Sequence, residues 1–313
     1  MKKVSIIIAT YNRAQYIIET LKSIQNQSYQ FWECLIIDDG STDNTEELVL
    51  NFLINDDRFS FYKRPKNLSK GANVCRNYGY RLSNGEYLKF FDSDDIMLPN
   101  HLEVLVDEID RNKLDFAVGD CRNFDEHGLR ERPYEIDRKT AELSAFNFAL
   151  HQVAWITNDL LVKREFAEKI RFNEEIRDVA NEYQFNIKLL LLTTKGLLVE
   201  QILTHRRIHG SSMTSDLHRD PVQFDLHVYE LKLATLKYIE GIAPIHLKKW
   251  FLSGFVQYGF NLTLKKVWPG RVLESFFPLT RAFSFIKGLC YGPALTLGFF
   301  LGKGYSIISW IRK

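Results

Sequence analysis

Cysteine is scarce in this 313-residue chain. Cys34, Cys75, Cys121 and Cys290 are separated by 41, 46 and 169 residues, and no C-x-x-C pair occurs. That spacing excludes a disulfide scaffold and a thiolate metal site, and it fits buried thiols in a reducing compartment. Charge of one sign is lacking too: 41 Lys+Arg stand against 39 Asp+Glu, a net of +2. A nucleic-acid-binding domain is usually strongly basic, so no nucleic-acid partner is expected. No internal repeat or low-complexity tract is present. With 45% hydrophobic and 26% charged residues the composition is that of a globular chain, which excludes intrinsic disorder and a collagen-like fibre. The length allows two units, or one domain with an appendage.

Long apolar runs are missing at the start of the chain. Met1, Lys2 and Lys3 lead into Val4–Ala9, which is too short for a signal peptide and is closed by Asn12 and Arg13. The catalytic part is therefore expected in the cytoplasm. Val4–Ala9 reads instead as a buried parallel strand. Arg13–Gln27 follows as a helix, then Trp32–Ile37 as a strand. A helix capped by Ser41 or Thr42 carries Asp43, Glu46 and Glu47 in its first turns. Phe59–Lys63 reads as a strand, Gly71–Leu82 as a helix, Tyr87–Phe91 as a strand, Leu98–Arg111 as a helix and Asp115–Gly119 as a strand. This alternation predicts an α/β fold with a doubly wound, mostly parallel sheet.

Ligands bind such sheets outside the carboxyl ends of the strands. The second strand ends there at Asp38-Asp39-Gly40-Ser41-Thr42-Asp43, and the fourth at Asp92-Ser93-Asp94-Asp95. Three carboxylates within four residues repel one another unless partnered, and a divalent cation such as Mn²⁺ or Mg²⁺ would resolve this. A solvated turn supplying a helix cap is the plainer reading of the same residues. Asp39 could accept a hydrogen bond from a ligand N–H such as that of uracil, or Asp38–Asp43 could simply cap the next helix. No G-x-G-x-x-G follows the first strand, which disfavours a dehydrogenase. No Gly-rich basic loop stands there either, which disfavours a sugar nucleotidyltransferase.

Four segments in this order and spacing resemble the family-2 glycosyltransferases of the bacterial surface-polysaccharide type. They are Ile8-Ala9-Thr10-Tyr11-Asn12-Arg13, Asp38–Asp43, Asn67…Gly71…Arg76-Asn77 and Gly85-Glu86-Tyr87…Phe91-Asp92-Ser93-Asp94-Asp95. Phe172-Asn173-Glu174-Glu175 with Asn181-Glu182-Tyr183, and the R-x-H-x-x-S stretch of Arg207, His209 and Ser212, extend the likeness to about residue 215. The resemblance implies an A-type glycosyltransferase fold and an inverting transfer from a nucleotide-diphospho-sugar, most often a UDP-sugar, to a hydroxyl of a glycan or lipid-linked glycan. It implies donor contacts from Thr10, Tyr11, Arg13, Asp39, Arg76, Asp92, Asp94, Arg207 and Ser212. A divalent cation would be held by Asp94 or Asp95, with His209 as a further ligand. The general base falls on Glu182, where the family usually has Asp in a Glu-Asp pair. Asn181-Glu182 is thus a departure, and it also supports an alternative: a weakened transferase that only binds nucleotide sugar or scaffolds an assembly. Gly210-Ser211-Ser212 could act as a lid over the donor.

The charge balance conceals two unlike parts. Residues 1–240 hold 31 basic and 38 acidic residues, and 241–313 hold ten basic residues and one acid, Glu274. Catalytic residues 1–220 are therefore set apart from a helical, basic and aromatic region over 221–313, with helices at Val222–Ile239, Ile245–Leu264 and Leu273–Gly288. Gly288–Gly302 has no charge but is 15 residues long, below the roughly 20 needed to span a bilayer. Basic and aromatic residues on helices suit peripheral attachment to the inner face of a cell membrane. A helical packing or dimer module is the other reading, and the oligomeric state is open.

Overall fold

A computed structural model describes residues 1–175, 181–209 and 220–313, with Asn181 described by its backbone alone. Two compact units result, Met1–His209 and Gly210–Lys313. The first is built on a nine-stranded sheet in the order β3-β2-β1-β4-β8-β6-β9-β5, with β7 beside β6. Its strands are β1 (Val4–Thr10), β2 (Trp32–Asp38), β3 (Phe59–Lys63), β4 (Tyr87–Asp92), β5 (Ile96–Met97), β6 (Phe116–Asp125), β7 (Gly128–Leu129), β8 (Leu160–Lys163) and β9 (Gly196–Arg207). Parallel pairing joins β1 to β2 and β4, β2 to β3, and β6 to β9. β8 runs antiparallel between β4 and β6. The fold class expected from the strand–helix alternation is the one observed.

Alternating side chains of the continuous apolar strands feed both faces of the sheet. Val4, Ile6 and Ile8 pack with Ile17, Leu21 and Ile24 of α1 (Ile17–Gln25) and with Leu102, Leu105, Val106 and Ile109 of α4 (His101–Asn112). Leu35 and Ile37 face the other way, against Cys75 of α3 (Ala72–Leu82). Cys34, Cys75 and Cys121 are buried free thiols. The register brings three strand ends to one level, with Thr10 opposite Asp38 and Ala9 opposite Asp92.

Two local expectations need correction. Helix α2 (Thr45–Leu53) starts at Asn44, and neither Ser41 nor Thr42 caps it. Asp38 takes Ser41 instead, accepting from the N–H groups of Gly40 and Ser41 and from the Ser41 hydroxyl, while Thr42 N donates to Asn12 Oδ1. Asp43 accepts from Thr45 N at 3.0 Å and from Ala14 N at 3.1 Å, which ties the loop after β1 to this helix. The second correction concerns Leu273–Gly288, which is not one helix.

In the C-terminal unit a one-turn 3-10 helix (Val272–Ser275) precedes a short α-helix (Phe276–Ala282), and a further helix begins at Phe285. Ser284 breaks the run in extended backbone and accepts from Lys287 N, as an N-cap. After α5 (Ala145–Ala149), α6 (Arg164–Ile170) and α7 (Asn181–Leu192), the α-helices among the described residues of the second unit are α8 (Pro221–Ile239), α9 (Ile245–Leu264), α10 (Phe276–Ala282), α11 (Phe285–Leu301) and α12 (Tyr305–Arg312). Tyr229 of α8 stacks on Phe255 of α9 at 4.2 Å between ring centroids. Among the described residues no helix is long and apolar enough to cross a membrane.

Gly85, just before β4, sits against the β1 backbone: a Cβ there would lie 2.6 Å from Ser5 N and 2.7 Å from Lys3 O. Backbone cannot yield as a side-chain tip can, so Gly85→Ala is expected to destabilise the chain by about 1–3 kcal/mol in urea unfolding. Gly241→Ala, where no atom lies within 4 Å, serves as the near-neutral control.

Candidate active site

The acidic edge at the end of β4 is the centre of the site, and each of its carboxylates has a different partner. Asp92 accepts from Arg76 Nη2 at 2.8 Å, and its own N–H donates to Asn158 Oδ1 at 2.8 Å. Asp94 Oδ2 lies 3.2 Å from Arg13 Nε and 3.1 Å from His209 Nε2. Asp95 is 3% exposed, and Arg207 N donates to its Oδ1 at 2.7 Å while Asn158 Nδ2 donates to its Oδ2. Burial and the charges of Asp94 and Asp92 push Asp95 well above the usual carboxylate range. Burial acts on Asp94 in the same direction, but the His209 hydrogen bond and the Arg13 charge outweigh it and hold Asp94 low.

Distant segments converge on this edge. Arg207 follows from β9, donates through Nε to the Asp94 carbonyl at 2.8 Å and pairs with Glu19 of α1. His209 stacks near Tyr16 at 5.0 Å between ring centroids. Arg76, on α3, is a half-buried partner of Asp92 and lies 5.2 Å from the centroid of the Phe172 ring. Asn77, on the same helix, grips the Phe172–Glu174 segment: its amide donates to Phe172 O and Glu174 Oε1, and its oxygen accepts from Phe172 N.

At the neighbouring strand ends, Asp39 is buried and forms an ion pair with Arg64, directly after β3. The Asp39 N–H donates to Thr10 O at 2.9 Å, and the Thr10 hydroxyl is buried with no hydrogen-bond partner among the described residues. Tyr11 is exposed, with Lys70 Nζ 3.5 Å from its ring centroid. Asn12 adopts φ +50° and bonds Ser41 and Thr42, which sets the turn that delivers Arg13 to Asp94.

Glu182, in the first turn of α7, receives two hydrogen bonds on one oxygen. Thr157 N and Thr157 Oγ1 each donate to Oε2 at 2.9 Å. Burial pushes the Glu182 carboxyl up, Asp92 adds to this, and the Thr157 bonds and Arg76 only partly offset it. Thr157 immediately precedes Asn158, which bonds Asp92 and Asp95, so the same turn links Glu182 to the acidic edge. Ser212, and the Gly210-Ser211-Ser212 stretch read as a lid, lie outside the described residues.

The sequence motifs do not single out Arg64, Thr157 or Asn158. Arg64 could have been suspected from its place after a strand at the same edge. Thr157 and Asn158 lie in an irregular stretch, with no periodicity to mark them.

Residues 5–170 match the sequence profile Glycosyl transferase family 2. The chain belongs to this family. This family-2 glycosyltransferase is 27% identical over 245 residues to the glycosyltransferase GlyG of Streptococcus pneumoniae, covering 74% of this chain and 79% of GlyG. It is 30% identical over 184 residues to the Campylobacter jejuni GalNAc(5)-diNAcBac-PP-undecaprenol beta-1,3-glucosyltransferase, covering 56% of each. The fold also matches Staphylococcus aureus TarS 1–349 in complex with UDP-GlcNAc, with a TM-score of 0.69, 19% identity, and 100% of this chain and 90% of that one covered. A mannosyltransferase from Pyrobaculum calidifontis, in complex with GDP-Man and Mn²⁺, aligns with a TM-score of 0.58 and 15% identity over 96% of this chain and 88% of that one.

The chemistry of the Asp94 and His209 side chains suits a divalent cation. A carboxylate oxygen and an imidazole nitrogen converge there, and a hard cation of this kind takes its remaining ligands from phosphate oxygens and water. Among the described residues no group of three or more His, Cys, Asp or Glu is arranged to hold a metal. Such an ion would therefore depend on the donor for part of its coordination.

Proposed function

We propose that this glycosyltransferase moves a sugar from a UDP-sugar to a hydroxyl of a glycan or lipid-linked glycan, with inversion at the anomeric carbon. The observation that carries this reading is the convergence of Glu182 and the cations Arg76, Arg13 and Arg207 around Asp92, Asp94 and Asp95. Asp39, held by Arg64, is the acceptor for the base N–H, and Thr10 and Tyr11 border it. Arg76 and Arg207 face the diphosphate, and Asp92 orients the ribose or sugar. Ser212 belongs to the same donor contacts by motif. The complexes named for UDP-GlcNAc and for GDP-Man with Mn²⁺, on the same fold, support a nucleotide-sugar donor and a divalent ion.

Glu182 removes the proton from the acceptor hydroxyl as its oxygen attacks C1 on the face opposite the diphosphate. The C1–O bond to phosphate breaks, and UDP departs with the electron pair. An α-linked donor thus gives a β-linked product. Asp94 and His209 would hold the cation, whose chemistry when bound is to neutralise the charge that develops on the leaving diphosphate. Asp94 is the better ligand of the two adjacent acids, because both oxygens of Asp95 are taken by Arg207 N and Asn158.

Glu182→Gln is expected to lower UDP release from UDP-GlcNAc or UDP-glucose, assayed with Mn²⁺, roughly 10²- to 10⁴-fold while UDP binding survives. Because the Glu182 carboxyl must be ionised to act and is shifted upward by burial, the acid limb of the parent's kcat profile should lie above the range of an ordinary glutamate. Parental turnover in Glu182→Gln would remove Glu182 from the mechanism. A parent that binds UDP but turns over no donor would favour the nucleotide-sugar-binding alternative.

The C-terminal unit supports peripheral attachment to an anionic membrane surface. Helix α11 buries Gly288, Tyr291, Ala294, Leu295 and Gly298, and turns Phe285, Ile286, Leu289, Pro293, Phe300 and Leu301 outward. Phe285 is 62% and Phe300 70% exposed, on a helix whose outward face carries no acid. Arg281, Lys287 and Lys303 flank it in a region with ten basic residues and one acid. Inserting each such Phe into the acyl boundary contributes about 1.5–3 kcal/mol, and each nearby cation about 1 kcal/mol on anionic lipid. The full chain is expected to sediment with phosphatidylglycerol vesicles and not with phosphatidylcholine alone, more weakly at high salt. Phe285→Ser with Phe300→Ser should abolish this. Retention in the supernatant with both lipids would overturn it, and a dimer lost on the same substitutions would assign the face to self-association.

A further inference from the structure

Three consecutive buried residues, Thr157, Asn158 and Asp159, form a one-turn 3-10 helix leading into β8 at the centre of the sheet. Each is tied to a different part of the site. Thr157 donates twice to Glu182 Oε2. Asn158 accepts from Asp92 N through Oδ1 and donates to Asp95 through Nδ2, while its carbonyl accepts from the ammonium of Lys89, a fully buried residue of β4. Asp159 is within electrostatic reach of that Lys89. Burial disfavours both charges, and each partly restores the other, so the pair belongs together under the turn.

The turn cannot shift without breaking its bonds to Lys89 and Asp92 of β4 and to Asp95 beyond it. A donor pair on so fixed a support orients its acceptor at no further entropic cost during turnover. Both donors act on the same carboxylate oxygen. We propose that Thr157 is the positioning residue of the Glu182 base: it pins Oε2, so that Oε1 is the oxygen that takes the proton from the acceptor hydroxyl. This rests on the reading of Glu182 as the base. As Oε1 accepts that proton, the acceptor oxygen bonds to C1 and the diphosphate leaves with the electrons of the broken bond. The hydroxyl of Thr157 also favours the ionised form of Glu182. Among the described residues, the charged and titratable groups within its electrostatic reach are Asp92, which opposes ionisation, Arg76, which favours it, and the Tyr134 phenol.

Thr157→Val keeps the backbone N–H and the shape of the side chain but removes the hydroxyl donor. With UDP-GlcNAc and with UDP-glucose, each with Mn²⁺, kcat for UDP release is expected to fall roughly ten- to a hundredfold. The donor KM should stay within about twofold, because a positioning contact acts on the chemical step. The acid limb of the kcat profile should move to higher pH, and Thr157→Ser should restore both values. A folded Thr157→Val with parental kcat and parental acid limb overturns the inference, as does a Thr157→Ser enzyme as impaired as the Val variant. Thr157→Ala stands in if the Val variant does not fold.

A second measurement separates this inference from the assignment of function. The Glu182 carboxyl resonance, identified by its loss in Glu182→Gln, can be titrated by ¹³C NMR without any donor. An upward-shifted midpoint in Thr157→Val that returns in Thr157→Ser supports the contact even if neither sugar is turned over. An unchanged midpoint overturns it even if both are.

Discussion

Like charges crowded at one strand end govern this molecule. Asp92, Asp94 and Asp95 leave the sheet within four residues, and crowding a buried carboxylate with two half-buried ones is costly unless each is partnered. The chain meets this by sending a different segment to each. Arg76 comes from α3, Arg13 from the turn after β1, Arg207 and His209 from the end of β9, and Asn158 from the turn before β8. Residues separated by more than 100 positions are thereby fixed within hydrogen-bonding distance of one edge. A glycosyltransferase needs such a place, since negative charge brought in by a diphosphate must meet cations already positioned.

The same arrangement explains why the Glu182 carboxylate sits where it does. Asn158 is required by Asp92 and Asp95, and Thr157 immediately before it holds Glu182. The geometry of the acidic edge and that of the Glu182 carboxylate are set by adjacent residues of a single buried turn. The extra methylene of Glu182 relative to the family's usual Asp is accommodated by two bonds to Oε2. The departure from Glu-Asp to Asn181-Glu182 therefore leaves a carboxylate that is held and desolvated.

Much of this was legible in the sequence, and the part that was not has a physical pattern. β1, β2, β3 and β4 are local apolar runs ending in polar turns, and the structure has them within a residue of the expected bounds. Strands β8 and β9 lie far along the chain, with weaker alternation, and pairing partners at such separations leave no local mark. The acidic clusters showed themselves by charge density. Arg64, Thr157 and Asn158 did not, because a single polar residue in a loop gains its role only from what the fold brings against it. The expected helix over Leu273–Gly288 failed for a local reason: apolar periodicity ran through Ser284, whose capping geometry ends one helix and starts the next. The basic, apolar character of the second unit was plain from composition, whereas the outward face of α11 required coordinates.

The proposed function requires the edge around Asp94 to bind a nucleoside diphosphate together with a divalent cation. Calorimetric titration of UDP into the full chain, with Mn²⁺ and with EDTA, tests it most directly. Binding that needs Mn²⁺ in the parent, and that falls by at least tenfold in Asp94→Asn without loss of the folded state, is the predicted result. UDP binding of equal strength with and without Mn²⁺, or unchanged in Asp94→Asn, would contradict it.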